Sequence, residues 1–216
     1  MSGTKTDTYV IETSEKSCVI DQFVEDCKDC NFCKKENEQI KKLLVVVDMQ
    51  NDFIDGSLGS KEAVNIIPSV IEKIKNWDGD IVATKDSHDN NYLQTREGRY
   101  LPVKHCINGT DGHKIKKEIQ DELFNKDVYK QVVFMNKRTF GSQMLAEFVR
   151  ENGYNYVELI GLCTDVCVVS NAILLKNYFP EIDIVVDAKC CAGVTPESHN
   201  AALLTMKMCQ INILGE

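Results

Sequence analysis

Six short apolar runs alternate along the chain with longer stretches whose apolar residues recur every three or four positions. The runs span residues 43–47, 81–84, 132–135, 156–160, 182–186 and 211–214. Continuous apolar runs are typical of strands covered on both faces, and the intervening spacing is typical of amphipathic helices. Strands that alternate with helices favour a parallel sheet with right-handed crossovers. The pattern therefore predicts an α/β fold, a three-layer α/β/α sandwich around a six-stranded, mainly parallel sheet.

The first 40 residues lack this pattern and are predominantly polar. We interpret residues 1–40 as a cysteine-rich N-terminal arm and residues 41–216 as one folded domain. The arm contains four cysteines, Cys18, Cys27, Cys30 and Cys33. Four thiolates suit tetrahedral Zn²⁺ or an iron–sulfur centre, so a second metal site is one hypothesis. The spacing does not form two C-x₂-C pairs, and an arm with reduced thiols is the alternative.

Composition narrows the functional classes. The formal net charge of the 216 residues is −8, and the lysines and arginines are dispersed, which argues against a nucleic-acid-binding face. No apolar run approaches the roughly 20 residues that a membrane span needs, and the polar start does not resemble a signal peptide. We therefore expect a cytoplasmic protein without a membrane partner, whose ten cysteines are free thiols or metal ligands. The oligomeric state stays open, a homo-oligomer included.

Chemically capable side chains follow four of the predicted strands: Asp48, Asp86, Lys137 and Cys167. The carboxyl ends of parallel strands meet at one edge of a sheet, so we expect these residues to lie close together. Cys167 stands at a predicted strand–turn–helix junction, where backbone N–H groups and the helix dipole favour a thiolate of lowered pKa and suit an oxyanion. Taken singly, each residue has an ordinary structural alternative: a turn cap, a solvated lysine or a buried cysteine.

A second group of residues has the composition of a metal site. Asp86 and His88 follow the second strand, and Glu97 and His105 lie in the long polar segment 89–112. Carboxylate oxygens and imidazole nitrogens together suit Zn²⁺, Fe²⁺ or Mn²⁺. A single histidine in such a segment is more often an ordinary surface residue, and the metal hypothesis depends on the four together. We expect His199, in the last helix, to be structural.

Five motifs carry a resemblance to a known family. They are residues 48–53 (DMQNDF), residues 86–88 (DSH), residues 105–110 (HCINGT), Lys137 with residues 140–142 (FGS), and residues 161–167 (GLCTDVC). Over about residues 41–216, the sequence resembles the isochorismatase-like cysteine hydrolases and, among them, most closely the nicotinamidases. Isochorismatases that cleave a vinyl ether lack the nucleophilic cysteine, so Cys167 argues against that branch.

The resemblance implies roles for individual residues. Asp48, Lys137 and Cys167 would form the catalytic triad, and the N–H groups of Cys163 and Cys167 would form an oxyanion hole next to a cis peptide after Leu162. The implied metal ligands are Asp86, His88, Glu97 and His105. The implied substrate-binding residues are Phe53, Tyr100, Leu101 and Phe140, with Tyr100 and Leu101 standing where relatives often have Trp or Phe.

The resemblance also implies an activity. It is the hydrolysis of nicotinamide to nicotinic acid and ammonia through a cysteine thioester, with one divalent transition metal and a place in NAD salvage. A relative acting on another small amide or carbamoyl substrate is the nearest alternative. A third hypothesis is a thiol or metal sensor without turnover, but a sensor has no need of Asp48 and Lys137.

Overall fold

The computed structural model describes residues 40–127 and 132–216, so the four arm cysteines proposed for a second metal lie outside the described residues. Within those ranges, the chain forms one six-stranded sheet. Its strands are β1 (Lys42–Val47), β2 (Asp80–Asp86), β3 (Val132–Lys137), β4 (Tyr156–Leu162), β5 (Asp183–Ala192) and β6 (Asn212–Leu214). Their order is β3-β2-β1-β4-β5-β6, and every adjacent pair is parallel. The predicted sheet is confirmed, and it is wholly parallel.

Helices cover both faces of the sheet. They are α1 (Asn51–Ile54), α2 (Lys61–Asn65), α3 (Ile67–Asn76), α4 (Arg96–Tyr100), α5 (Lys117–Asp127), α6 (Gln143–Asn152), α7 (Val169–Tyr178) and α8 (Pro196–Met208). Their ends follow local chemistry: the Ser142 hydroxyl caps α6 by accepting from the Leu145 N–H, and Gly153 ends it at φ 66°. Thr195 caps α8, with proline next as the first helical residue. Among the described residues, no helix is long and apolar enough to cross a membrane.

The core consists of two apolar layers, one on each face of the sheet. Side chains of a strand alternate between faces, so Leu43, Val45 and Val47 pack with α6, α7 and α8. Leu44 and Val46 point the other way and pack with residues of α3 and α5. Burial on both faces explains why β1 is a continuous apolar run rather than an alternating one.

Four strands, β2, β3, β4 and β5, continue past the ends of their apolar runs. Asp86 is the last residue of β2 and pairs with Lys137 of β3, and β5 continues to Ala192, which pairs with Leu162. Backbone pairing with a neighbouring strand extends these strands beyond the point where apolar side chains stop. The polar segment 89–112 is also more ordered than a plain loop, since it contains a 3₁₀ turn (Tyr92–Gln94) and α4. These extensions position residues of the candidate active site.

Candidate active site

Three adjacent strands and one neighbouring turn bring the predicted triad together. Asp48 follows β1, Lys137 ends β3, and Cys167 lies in a π-helical turn (Thr164–Val168) between β4 and α7. The Lys137 side chain reaches past β2, so that its Nζ lies 2.6 Å from Asp48 Oδ2. The same ammonium donates a hydrogen bond of 3.3 Å to Cys167 Sγ. One lysine therefore contacts both the candidate base and the candidate nucleophile.

Asp48 is held rigidly at the end of β1. Its backbone adopts a positive φ of 47°, and its side chain is fully buried. The Asp48 N–H donates to the Thr84 carbonyl at 3.2 Å, and the Thr84 hydroxyl donates to Asp48 Oδ1 at 2.7 Å. The second oxygen, Oδ2, faces Lys137 but has no aligned hydrogen bond among the described residues. This leaves a lone pair on Oδ2 free to accept a proton.

Burial dominates the electrostatics of the triad. It raises the pKa of the Cys167 thiol well above its usual value, and the nearby charge of Asp48 raises it further, while Lys137 opposes the shift. Burial also raises the pKa of Asp48, against the lowering effect of Lys137. For Lys137, burial favours the neutral amine, but nearby acidic groups, Asp48 first, outweigh burial and raise the pKa. The predicted low thiol pKa is therefore wrong, because burial beside Asp48 raises the pKa of Cys167.

The turn that carries Cys167 has the geometry that the resemblance implied. The peptide bond between Leu162 and Cys163 is cis. The Cys163 carbonyl accepts hydrogen bonds of 3.1 Å from the N–H groups of Val166 and Val168. The Cys163 N–H therefore lies in the same turn as the candidate nucleophile, where backbone N–H groups suit the binding of an oxyanion.

Two side chains outside the triad support this turn. The Thr164 hydroxyl lies 2.8 Å from His199 Nδ1, which ties the turn to the first part of α8. Buried Asn171 donates to the Cys167 carbonyl at 2.8 Å and to the Phe140 carbonyl at 3.1 Å. These contacts place His199 in a structural role, as the sequence predicted.

Next to the triad, Asp86, His88 and His105 form a compact cluster. Each offers a ligand atom, and these atoms lie within 4.8 Å of one another. All three residues are buried. His105 Nδ1 bonds the Val103 carbonyl at 2.8 Å, so its Nε2 is directed to the cluster and lies 3.5 Å from Asp86 Oδ2.

His88 provides the test of whether a metal fits. His88 Nε2 lies 2.7 Å from Asp86 Oδ2, yet this buried nitrogen has no aligned hydrogen-bond partner in the described residues. Close approach without an aligned proton is expected of two lone-pair atoms that share a cation. Burial raises the pKa of Asp86, but the neighbouring His105, His88 and Lys137 outweigh burial and hold the pKa well below its usual value, so the carboxylate is ionised and able to ligate. The cluster fits a borderline divalent metal.

Glu97 stands on the more open side of the same cluster. It lies on α4, and its side chain is 27% exposed. Glu97 Oε1 is 3.6 Å from His88 Nε2 and 3.8 Å from His105 Nε2. It is the natural fourth protein ligand, although it sits farther from the centre than the other three.

Cys167 of the triad and Asp86 and His105 of the cluster line one cavity of about 440 Å³. Cys163 and Cys167 line one side of it, and Asp86, Glu97 and His105 line another. The remaining wall includes the four residues expected to bind substrate, Phe53, Tyr100, Leu101 and Phe140. Tyr100 is 77% exposed and Phe140 is 47% exposed, so these two rings form the rim rather than the floor.

Comparison with known proteins decides the family, because the isochorismatase domain model matches residues 42–215. The chain belongs to the isochorismatase family. An uncharacterized isochorismatase family protein from Bacillus subtilis is 31% identical over 175 residues, covering 76% of this chain and 93% of that protein. The crystal structure of a nicotinamidase/pyrazinamidase from Bacillus subtilis superposes with a TM-score of 0.72 at 29% identity, covering 82% of this chain and 100% of that one. A pyrazinamidase of Pyrococcus horikoshii in complex with zinc gives a TM-score of 0.67 at 28% identity, covering 82% and 99%.

Several residues that shape this isochorismatase family site are absent from the sequence-based expectations. Thr84 and Asn171 are buried polar residues on a strand and a helix, and His113 lies 2.7 Å from the Ser87 hydroxyl beneath Asp86. A threonine at the end of an apolar run was a usable signal for Thr84. For His113 the sequence offers none, because Ser87 is 26 residues away along the chain. Asn171 lies four residues after Cys167, but its other partner, Phe140, is 31 residues away.

Proposed function

We propose that this isochorismatase family member is a metal-dependent amidohydrolase that converts nicotinamide and water to nicotinic acid and ammonia. The observation that carries the proposal is Lys137 Nζ, which lies 2.6 Å from Asp48 Oδ2 and 3.3 Å from Cys167 Sγ, beside a metal-ligating cluster on the same cavity. A thiol, a base and a cation in contact support nucleophilic catalysis. The similar proteins named nicotinamidase or pyrazinamidase support the substrate class.

In the first half-reaction, Asp48 accepts the thiol proton as the sulfur of Cys167 forms a bond to the carboxamide carbon. The electron pair of the C=O π bond moves to oxygen, and the N–H groups of Cys163 and Cys167 stabilise that oxyanion. Each such donor contributes about 3 kcal/mol in comparable sites. The raised pKa of the Cys167 thiol keeps its proton in place until substrate has bound. Lys137 then stabilises the sulfur as it loses that proton.

Protonated Asp48 next donates its proton to the amide nitrogen. The C–N bond breaks, ammonia leaves, and a thioester to Cys167 remains. In the second half-reaction, Asp48 removes a proton from water while the water oxygen adds to the thioester carbon. The C–S bond then breaks, nicotinic acid forms, and the sulfur recovers a proton from Asp48. Atoms and charges balance, and both halves use the same carboxylate.

The residues that would hold the metal are Asp86, His88 and His105, with Glu97 as the fourth. One zinc, iron or manganese ion held there would supply a Lewis acid able to bind the pyridine nitrogen of the substrate. Phe53 packs on the His105 ring, with centroids 5.5 Å apart, and would hold the substrate ring together with Tyr100, Leu101 and Phe140. Holding both ends of nicotinamide would place its carboxamide against Cys167.

The test is ammonia release by the purified full-length protein. We expect release from nicotinamide, a large loss after chelation, and recovery when Zn²⁺, Fe²⁺ or Mn²⁺ is restored. Release only from other small amides or carbamoyl compounds would favour the nearest alternative, and no release from any amide would contradict the assignment as an amidohydrolase. A role in NAD salvage and a cytoplasmic location stay predictions.

A further inference from the structure

Two side chains of residues 48–53 point away from the triad and toward the backbone of the metal ligands. Gln50 contacts the backbone of Asp86, and Asp52 contacts the backbone of the residue after His105. We propose that Gln50 and Asp52 are positioning residues for the metal site, so that the segment carrying the catalytic Asp48 also sets the geometry of the metal ligands. This inference rests on the metal site of the proposed function.

Gln50 holds Asp86 on both sides of its α-carbon. The Gln50 side chain is fully buried, and its Oε1 accepts from the Asp86 N–H at 2.7 Å. Its Nε2 donates to the Asp86 carbonyl at 2.8 Å and to the His113 carbonyl at 3.0 Å. The three bonds define the orientation of the amide and leave it no alternative partner. Asp86 is thus fixed at the backbone from which its ligating carboxylate extends.

The pairing of the strands explains why the Asp86 backbone needs these hydrogen bonds from Gln50. β1 pairs with β2 only as far as Val46 opposite Ala83, and β1 ends at Val47. β2 continues to Asp86, whose other neighbour is Lys137 of β3. Beyond the end of β1, the Gln50 side chain supplies the donor and the acceptor that a further strand residue would have supplied. The backbone at the end of β2 therefore has hydrogen-bonding partners on both sides, as the backbone in its middle does.

Asp52 performs the corresponding task for the two histidines. Its Oδ2 accepts from the Cys106 N–H at 2.7 Å, directly after His105. Cys106 is buried with a positive φ of 46°, and its carbonyl accepts from the His88 N–H at 3.0 Å. One carboxylate thus holds Cys106, whose N–H belongs to the peptide bond with His105 and whose carbonyl accepts from the N–H of His88.

Gly112, which lies against Asp52, allows an independent test of the role of the Asp52 carboxylate. The Asp52 N–H donates to the Gly112 carbonyl at 3.1 Å. A Cβ at Gly112 would lie 2.0 Å from Asp52 Oδ2, so any larger residue there must displace the carboxylate. Gly112 has no positive φ, and alanine is compatible with its backbone. Gly112→Ala therefore moves the Asp52 carboxylate without changing the charge of the site.

The test measures metal affinity rather than turnover. We would compare Gln50→Met, Asp52→Ala and Gly112→Ala in the full chain, with Cys18→Ser, Cys27→Ser, Cys30→Ser and Cys33→Ser in every sample. The matched control is Asp55→Ala, which removes the same charge three residues after Asp52. Asp55 pairs with Lys116 at 2.6 Å, and among the described residues its side chain makes no hydrogen bond to the backbone of a candidate metal ligand. Zn²⁺ affinity is measured by competition with a chromophoric chelator, and folding by circular dichroism.

We expect the three variants to bind Zn²⁺ about 10- to 100-fold more weakly than the parent, and the control to stay within about twofold. Folded variants with parental affinity, or an equal loss in Asp55→Ala, would overturn the inference. If Gln50→Met fails to fold, the charge-conserving Gly112→Ala still decides the question.

The outcome separates this inference from the proposed function. If the parent releases ammonia and binds Zn²⁺, and the variants bind Zn²⁺ equally well, only the inference about Gln50 and Asp52 is overturned. If the parent binds Zn²⁺ but releases no ammonia, the proposed function is overturned. The Zn²⁺ affinities of the variants still test the inference about Gln50 and Asp52. A parent that binds no Zn²⁺ overturns the inference, whatever its activity.

Discussion

The triad and the metal cluster each contribute residues to one cavity, but their charges are balanced in different ways. In the triad, the carboxylate of Asp48 lies 2.6 Å from the ammonium of Lys137, so a protein cation offsets a protein anion. In the cluster, the carboxylates of Asp86 and Glu97 face two imidazoles that are neutral in their metal-binding form. The triad is complete by itself, whereas the cluster is complete only with a divalent cation. Substitutions in the triad and in the cluster should therefore change different measurable properties of the protein.

The largest expected effect comes from the nucleophile. Cys167→Ala removes the attacking sulfur, and we expect turnover of nicotinamide to fall by about 10⁴-fold or more. Metal content should not change, because Cys167 belongs to the triad side. Ammonia release and metal analysis of the same sample provide the measurement.

Cys191→Ala is the matched control for that variant. Cys191 is another buried thiol, 4% exposed, on β5 and outside the cavity lining. It should keep nearly full activity. Substantial ammonia release by Cys167→Ala would show that another group attacks the amide.

Lys137→Met should cost stability as well as activity. The variant leaves the Asp48 carboxylate buried without its cation, and breaking a buried pair typically costs about 3–5 kcal/mol. The double variant Asp48→Asn/Lys137→Met should lose less free energy of unfolding than the two single variants added together. Urea unfolding monitored by circular dichroism measures this coupling. Additive losses would mean that the triad is not internally balanced.

The same contrast explains what the sequence could predict. A parallel sheet brings strand ends to one edge, so the pattern alone predicts that Asp48, Asp86, Lys137 and Cys167 lie close together, and the resemblance assigns Asp48, Lys137 and Cys167 to a triad. The cluster was harder, since Glu97 and His105 lie in a segment without a continuous periodic signal. The residue types there predict a metal site with four candidate ligands, and the resemblance implies the same set.

Other features depend on three-dimensional surroundings that no local pattern encodes. The helix start favoured a low thiol pKa, but burial beside Asp48 raises it. Gln50 and Asp52 stood in a quoted motif, yet their partners are 36 and 54 residues away along the chain. The sequence identified these residues as part of a motif, and only the fold shows which backbone groups they hold.

Removing one imidazole should affect the metal side selectively. His88→Ala deletes a ligand whose buried Nε2 has no other aligned partner in the described residues, and we expect at least a tenfold loss of metal affinity. His105→Ala should behave similarly, and Glu97→Ala should lose less because that side chain is farther out. Metal analysis should use chains in which the four arm cysteines are serine. If both histidine variants still bound a full equivalent of metal, the proposed metal cluster would be ruled out.

The smallest expected effect is a change in thiol pKa, and its sign is specific. Burial and the charge of Asp48 raise the pKa of Cys167, and Lys137 lowers it. Asp48→Asn removes one raising charge and keeps Lys137, so the thiol pKa should fall while hydrolysis is lost. The rate of iodoacetamide alkylation at Cys167, followed by mass mapping against pH, should therefore begin to rise at a lower pH in the variant.

Asp86 also raises the pKa of this thiol, so the comparison must be made at constant metal loading. Lys137→Met serves as the opposite control, because losing the lowering charge should shift the alkylation profile to higher pH. If Asp48→Asn shifted the profile upward instead, Asp48 would be stabilising the thiolate in the resting protein. The triad would then rest as an ion pair, and the thiol would not keep its proton until substrate binds.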